Sequence, residues 1–452
     1  MGEKMNRKNK MEVMPMGKLV LDMSLPMMLS LLIQSLYNIV DSIFVARLSE
    51  QALTATSLAY PIQMLMIAVA VGTAVGLNAV LSKTLGAKQF EAASQVATTG
   101  VLLSVISGLV FTVIGLFFSG ALAHAFTGNA EIAAECKSYL FIVMVFCLGN
   151  VVSIMYQRLM QATGKTFLSM VILVAGAVTN IILDPIMIFG MFGCPALGIR
   201  GAAIATVIGQ WISMFVGLIL QAKVNREITV SFKGFHINGN QVKAIYKIGF
   251  PTIITQAMQS MMITCVNAIL QPFSTTAVAF FGVYYKLQTF LFMPMNGLGQ
   301  AAIPIIGFNF GARNKKRINE AVRVVYPAAV CIALAGTLVF MAIPSGLLGL
   351  FAASEEMLAM GVPALRIIAP TFALASVTLV SGYMASGMQD GVTNMIAALL
   401  RLFLPLIPCA WLLAKVGGIG VVWYAFWISE ICALVFAVLR MKKLFGKKLA
   451  GM

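Results

Sequence analysis

The sequence has 452 residues, of which 60% are hydrophobic and 10% are charged, and its formal net charge is +16. A soluble globular domain carries about 25% charged residues, so this composition excludes an ordinary soluble protein. The positive charge does not indicate a nucleic-acid partner, because most Lys and Arg residues lie at the termini and in alternate loops between apolar runs.

The apolar residues form successive runs of roughly 20 residues, the length that crosses a bilayer as an α-helix. The sequence therefore predicts an all-α polytopic membrane protein with about twelve transmembrane helices. The predicted spans lie near residues 19–45, 53–79, 96–120, 136–157, 168–191, 197–221, 246–270, 276–304, 320–348, 361–386, 393–415 and 417–440.

The basic residues also predict the orientation of the chain. They are concentrated before the first span, in every second loop and after the last span, so both termini and the central loop are expected in the cytoplasm. The first apolar run is long enough to span and no cleavage-like motif follows it, which argues against a removed signal peptide. We expect a multi-pass protein of the plasma or inner membrane that functions as a monomer.

The chain contains two copies of one unit. Four motifs recur in the same order at a nearly constant offset. The first motif pairs Pro26 with Pro251 and Gln34 with Gln259, and the other three pair Gly86 with Gly311, Gly164 with Gly391, and Gly198 with Gly418. An even number of spans in each copy gives both copies the same orientation, which predicts two six-helix lobes related by a parallel repeat. We place the lobes at 1–221 and 246–452, joined by a flexible cytoplasmic linker at 222–245.

Two carboxylates lie inside predicted spans. Asp41 is in the outer part of the first span, and Asp184 is in the outer part of the fifth. An ionisable side chain in a lipid-spanning segment is costly and usually faces a protein interior or a watery cavity, so we expect both acids to be functional. Asn180 lies one helical turn before Asp184 on the same face, and Thr206 is at similar depth on the sixth span.

These four side chains form a set of hard oxygen ligands. Such a set suits a proton or a small hard cation such as Na⁺, and two close carboxylates could also share a proton. Pro185 cannot donate a hydrogen bond to the carbonyl of Ile181, which leaves an oxygen for an ion or water. The alternative is that Asn180 and Asp184 only form hydrogen bonds across a helix contact.

The second half has no acid at the position equivalent to Asp41, where the repeat places Val266. Lys286 and Glu430 lie at similar predicted depth and could form a pair, or each could lie nearer to an interface and extend its charge into it. The full set of charges within the predicted spans of this half is Lys286, Arg366, Arg401 and Glu430.

Several polar, aromatic and Met side chains could line a substrate cavity between the lobes, although packing between helices is the alternative for each of them. Met adapts to many ligands, and Tyr can stack on an aromatic cation. The candidates are Gln34, Tyr37, Asn38, Gln256, Gln259, Met262 and Lys286.

The sequence carries no enzyme signature. It has only two His residues, and no G-x-x-x-x-G-K-[ST] phosphate loop is present, so ATP is not the expected energy source. The seven Cys residues contain no CxxC pair and indicate neither a metal site nor a disulfide framework. We therefore expect no cofactor beyond a coupling ion.

The chain resembles the multidrug and toxic compound extrusion (MATE) family, in the branch of the DinF- and MepA-like transporters. The resemblance covers the whole chain and rests on YNIVDSIFV in the first span, TNIILDP in the fifth, GIRGAAIAT in the sixth and GAR after the eighth. It implies export of organic cations and drugs in exchange for Na⁺ or H⁺. It also implies that the coupling residues are Asp41, Asn180, Asp184 and Thr206.

The resemblance implies no ion site in the second lobe, because the acids that another branch carries on helices seven and ten are absent here. We expect a secondary antiporter that exports amphipathic, mostly cationic molecules by alternating access, with membrane lipid as its surroundings. One alternative is a lipid-linked oligosaccharide flippase of the same superfamily, which needs cations in its cavity for a pyrophosphate. Another is a non-transporting membrane scaffold or receptor, which has no need of paired buried acids.

Overall fold

A computed structural model describes residues 9–351 and 353–452 of the chain, and every regular element in these residues is a helix. Ten helical stretches are long and apolar enough to cross a membrane, and two bent pairs of shorter helices bring the number of spans to as many as 12. The predicted all-α architecture of about twelve spans is therefore confirmed.

The spans are numbered α1 to α12 in chain order. The first six are α1 (Met16–Leu48), α2 (Glu50–Gly86), α3 (Phe90–Phe126), α4 (Ala130–Val145 and Leu148–Ala162), α5 (Thr166–Phe189) and α6 (Ile199–Lys223). The other six are α7 (Gly239–Leu270), α8 (Thr275–Gly311), α9 (Lys315–Ala342), α10 (Glu355–Ile368 and Thr371–Gly387), α11 (Gly391–Leu402 and Leu406–Gly417) and α12 (Ile419–Val422 and Ala425–Leu449). Three short helices lie outside the spans, at Lys10–Val13, Met191–Gly193 and Pro344–Gly349.

The two halves share the same caps and turns. Ser49 caps α2 by accepting a hydrogen bond from the backbone N–H of Ala52, and Ser274 caps α8 in the same way. Lys88 and Arg313 both have positive φ values, of 60° and 54°, in the turns that follow these helices. The parallel repeat therefore extends to details of the backbone.

One predicted pairing within the repeat is wrong by two residues. Gly164 and Gln389 occupy the same left-handed position after α4 and α10, with φ values of 81° and 66°. Gly391 instead begins α11, as Thr166 begins α5. The sequence comparison paired glycine with glycine, because glycine is the usual residue at such a turn, whereas the second copy places Gln there.

The chain divides into two compact units. The N-terminal unit comprises Leu29–Phe250, and the C-terminal unit comprises Pro251–Met452 together with the segment up to Met28. Both divisions lie inside long helices, α1 and α7, close to Pro26 and at Pro251. These divisions differ from the lobe boundaries at 221 and 246 that the sequence predicts.

The loop predicted as a flexible linker is attached to the N-terminal unit. The backbone N–H groups of Thr229 and Ser231 donate to the hydroxyls of Ser94 (3.1 Å) and Thr98 (3.3 Å) on α3. These hydrogen bonds hold the loop to α3.

Each unit has its own apolar core. In the N-terminal unit, small side chains such as Ala55 and Ala203 contribute, and small residues allow membrane helices to approach closely. In the C-terminal unit the core is rich in aromatic rings, and Phe280 packs edge-on against Trp423 with ring centroids 5.0 Å apart.

Candidate ion-coupling site

The acid on α1 lies beside the acid on α5. Phe44 of α1 contacts Phe189 of α5, with ring centroids 6.3 Å apart, so the two helices are neighbours near their C-terminal ends. The carboxyl groups of Asp41 and Asp184 lie close enough to interact electrostatically. The structure therefore brings together two intramembrane acids that are far apart in the sequence.

Asp184 and Asn180 project from one face of α5. Their exposed fractions are 0% and 3%, so both side chains are buried. Asn180 Nδ2 donates a hydrogen bond to Asp184 Oδ1 at 3.1 Å and a longer one, of 3.4 Å, to Thr206 Oγ1 on α6. One amide group thus links the two helices, while its own carbonyl oxygen is left for another partner.

Two glycines allow α5 and α6 to approach closely at this point. A Cβ atom on Gly209 would lie 2.7 Å from the carbonyl oxygen of Gly176 and 3.2 Å from Asn180 Cβ. A Cβ atom on Gly176 would lie 2.1 Å from the hydroxyl of Ser213. The glycine contact therefore sets the separation of the helices and with it the distance from Asn180 to Thr206.

Three buried oxygens in this group accept no well-aligned hydrogen bond, namely Asp41 Oδ1, Asn180 Oδ1 and Asp184 Oδ2. An unsatisfied buried polar atom costs about 1–3 kcal/mol, and more when it is charged. Among the ion pairs of the described residues, none involves Asp41 or Asp184. With the Thr206 hydroxyl, these oxygens form a donor set that fits a proton or a small hard cation.

The same donor set does not suit a thiophilic metal, because it contains neither a thiolate nor an imidazole ligand. Residues 9–351 and 353–452 contain no cluster of three or more Cys, His, Asp or Glu side chains.

Two further side chains, which the sequence analysis did not identify, belong to this site. Tyr139 on α4 is 4% exposed, and its hydroxyl accepts a hydrogen bond from Gln63 Nε2 on α2 at 3.1 Å. Tyr139 lies within electrostatic range of both Asp41 and Asp184. A tyrosine in an apolar helix gives no special sequence signal, but Gln63 is an amide inside an apolar run and could have been found on that basis.

The residues predicted to line a substrate cavity have different surroundings. Met262 is 4% exposed and packs in the apolar core of the C-terminal unit, rather than lining open space. Tyr37 lies next to Asp41, one helical turn before it on α1. The candidates with half-buried or exposed side chains, whose cavity role stays a prediction, are Gln34, Tyr37, Asn38, Gln256 and Gln259.

Of the two alternatives for Lys286 and Glu430, the structure excludes their pairing. Glu430 on α12 pairs with Arg401 on α11, and Arg401 Nε lies 2.6 Å from Glu430 Oε1. Lys286 on α8 is exposed, and its Nζ lies 5.9 Å from the centre of the Phe351 ring. Similar depth does not determine the partner, because pairing also depends on which face of each helix carries the charge.

Comparison with known proteins supports these assignments of fold and class. The MatE family model matches the chain twice, over residues 26–186 and 251–412, which together make up more than half of its length. The two matches begin at Pro26 and Pro251, the prolines that mark the start of the internal repeat.

The chain is similar to the multidrug export protein MepA of two staphylococci. It is 25% identical over 425 residues to the protein of Staphylococcus aureus strain MSSA476, covering 94% of this chain and 93% of that one. It is 27% identical over 423 residues to the protein of Staphylococcus haemolyticus strain JCSC1435, covering 92% of each chain.

Solved structures share the fold along almost the whole chain. A MOP superfamily transporter from Pyrococcus furiosus has a TM-score of 0.89 at 24% identity, covering 98% of this chain and 99% of that one. A mutant of the Vibrio cholerae MATE transporter VcmN has a TM-score of 0.90 at 24% identity, with coverage of 97% and 99%. The chain is thus a multi-pass membrane protein that belongs to the MatE family of transporters, in its MepA-like branch.

Proposed function

We propose that this chain is a secondary antiporter that exports amphipathic, mostly cationic drugs or toxic small molecules in exchange for inward Na⁺ or H⁺. Its family and its relatives named as multidrug export proteins support drug export. The observation that carries the coupling to an ion is the acid pair of half-buried Asp41 and buried Asp184, completed by Asn180 and Thr206.

Two neighbouring carboxylates in a membrane span need a proton or a cation between them. Two unit charges about 4 Å apart at an effective dielectric constant of about 20 repel each other by about 4 kcal/mol. One proton or one Na⁺ removes this repulsion, and it gives the unpartnered oxygens of Asp41 and Asp184 a partner. The doubly ionised, cation-free pair is therefore the state of highest energy.

Exchange follows if the coupling ion and the drug are not held at the same time. In this proposal an ion from outside binds the acid pair, the neighbouring helices repack, and the drug is released outward by alternating access. The repacking involves α1, because this helix carries Asp41 in the N-terminal unit while its first part, up to Met28, belongs to the C-terminal unit. A movement of α1 thus links the acid pair to both units.

The flippase alternative receives less support from the described residues. A lipid-linked pyrophosphate needs several cations directed at it, but Arg401 is already paired with Glu430. Lys286 and Arg366 are exposed side chains on two other helices. We therefore do not extend the proposal to lipid-linked sugars.

Dye efflux from proteoliposomes tests the proposal. Ethidium movement is measured under a Na⁺ gradient and, separately, under a proton gradient, for wild type and for Asp41→Asn. We expect one of the two gradients to drive efflux in wild type and the variant to lose it. The matched control is Asp22→Asn, which changes an acid of the same helix whose side chain is 46% exposed.

Each outcome has a definite meaning. No movement under either gradient, with protein that is folded by size-exclusion chromatography, would refute drug–ion exchange. Efflux that survives in Asp41→Asn would move the coupling site away from the acid pair, and equal loss in Asp22→Asn would show that the defect is not specific to the pair.

A further inference from the structure

The C-terminal unit contains a buried ion pair that the coupling site does not use. Arg401 and Glu430 have side chains that are 13% and 6% exposed, and they lie on the adjacent spans α11 and α12. Charged groups inside spans are costly and are usually functional, so this pair requires an explanation.

The pair uses only part of its hydrogen-bonding capacity. Arg401 Nε donates to Glu430 Oε1 at 2.6 Å, whereas Glu430 Oε2 is buried and accepts no hydrogen bond. The strongest Arg–carboxylate pairs are bidentate, with two parallel hydrogen bonds. A buried pair with an unmatched oxygen recovers less of its desolvation cost, and apolar residues of similar volume would be at least as stable. Stability alone therefore does not account for the pair.

One aromatic ring faces the guanidinium group, and a tyrosine lies close to the ion pair. Arg401 Cζ lies 4.9 Å from the centre of the Phe292 ring on α8, which is a cation–π contact. Tyr284 interacts electrostatically with Arg401 and Glu430, and its ring lies 5.8 Å from that of Phe426 on α12. The buried Tyr284 hydroxyl forms no well-aligned hydrogen bond, although the amide of Gln288 is nearby.

A carboxylate, an aromatic face and a hydroxyl are the groups that bind a planar organic cation. We propose that Glu430, Phe292 and Tyr284 form a second cation-binding site, inside the C-terminal unit, for a planar organic cation of the guanidinium or aromatic iminium type. The Arg401 guanidinium is a tethered occupant of this site, and it competes with the external cation for Glu430. Na⁺ is not the expected ligand, because the aromatic faces add no oxygen donors to the single carboxylate.

A tethered competitor suits the release step of an exporter. When the external cation leaves, Arg401 returns to Glu430, so the buried carboxylate is never left without a positive charge. The same competition keeps the external cation weakly bound and exchangeable. That the ligand is a transported drug rests on the proposed function. The competition between Arg401 and an external cation for Glu430 does not depend on that function.

Substitutions of Arg401 and of Glu430 should therefore change cation affinity in opposite directions. A purely structural ion pair predicts no such difference. Equilibrium binding of ethidium to the detergent-purified full chain is followed by fluorescence anisotropy, with no ion gradient. We expect Arg401→Gln to bind at least about tenfold more tightly than wild type, because the competitor is gone. We expect Glu430→Gln to bind at least about tenfold more weakly, and the double variant to match Glu430→Gln.

Further variants keep the test decisive. Arg401→Lys retains the charge but not the planar fork, so it should give a smaller tightening, and it replaces Arg401→Gln if that variant does not fold. Glu355→Gln, at an exposed site on the first turn of α10, should leave binding unchanged. If Arg401→Gln binds ethidium and wild type does not, the site is upheld, but the result does not support drug export. Loss of binding in both single variants, or an unchanged affinity in both, would overturn the site.

Discussion

The glycine contact between α5 and α6 predicts that Gly209→Ala weakens ion coupling without removing any polar group of the site. A Cβ atom at this position would lie 2.7 Å from the carbonyl oxygen of Gly176. An ordinary carbon–oxygen contact is about 3.3 Å, so the helices must separate by about 0.6 Å. The neighbour is backbone, so a side-chain rotation cannot relieve the overlap.

This separation is large enough to break the link between the helices. The distance from Asn180 Nδ2 to Thr206 Oγ1 is already 3.4 Å, and a hydrogen bond longer than this is lost. Overpacking costs about 1–3 kcal/mol and a lost hydrogen bond about 0.5–1.5 kcal/mol. We therefore expect a destabilisation of about 2–4 kcal/mol and a coupling-ion requirement raised at least about tenfold.

The assay combines thermal unfolding of purified protein with the ion concentration that gives half-maximal dye efflux. The control is Gly120→Ala in α3, where the nearest atom to an added Cβ is 3.5 Å away on the flexible Lys137 side chain. Alanine in place of a helical glycine stabilises by about 0.5–1 kcal/mol, so this variant should lose nothing. A folded Gly209→Ala protein with the ion dependence of wild type would refute the reasoning.

Three other predictions concern the same unit. Asp184→Asn should abolish ion-driven dye efflux. Its melting temperature should stay close to that of wild type, because the amide oxygen still accepts the hydrogen bond from Asn180. Efflux that persists at the wild-type rate would contradict this prediction. Tyr139→Phe should lower stability by about 1 kcal/mol in thermal unfolding, because Gln63 loses its acceptor, and should shift the half-saturating ion concentration severalfold. Joint replacement of Ser94 and Thr98 by Ala should release the loop that follows α6. In limited proteolysis, trypsin should then cut at Lys233 at least about fivefold faster than in wild type. An unchanged cleavage rate would show that the two hydroxyls do not hold the loop.

Matched variants separate these effects from general damage. Tyr60→Phe removes a hydroxyl from an exposed tyrosine of α2 and should leave the ion dependence unchanged, in contrast to Tyr139→Phe. Ser57→Ala removes a hydroxyl that only donates to the carbonyl of Leu53 in its own helix, so it should not change the cleavage at Lys233.

The features predictable from the sequence are those that depend on local composition. Span number follows from apolar length, because each helix must cross the bilayer by itself. The repeat follows from motifs that fix the same caps and turns in both copies, as at Ser49 and Ser274. The adjacency of Asn180 and Asp184 follows from the helical period alone.

The features that the sequence does not predict depend on the rotation and approach of whole helices. Similar depth suggested Lys286 as a partner for Glu430, whereas the packing of α11 against α12 brings Arg401 to it. Tyr139 is recognised through its distance from acids on two other helices, which no local pattern encodes. The division between the units falls inside α1 and α7, so it has no loop to mark it.

The two units carry the same fold but balance their buried acids differently. In the N-terminal unit, Asp41 and Asp184 are neighbours, and no described ion pair neutralises either of them. In the C-terminal unit, Glu430 has its own guanidinium partner in Arg401. A diffusible ion is therefore needed only where the chain supplies no positive charge, and for this reason we propose that the coupling ion binds in the N-terminal unit. The same reasoning predicts that Arg401→Gln leaves Glu430 without its partner, so the second unit should take up a proton or cation at a lower concentration than wild type does.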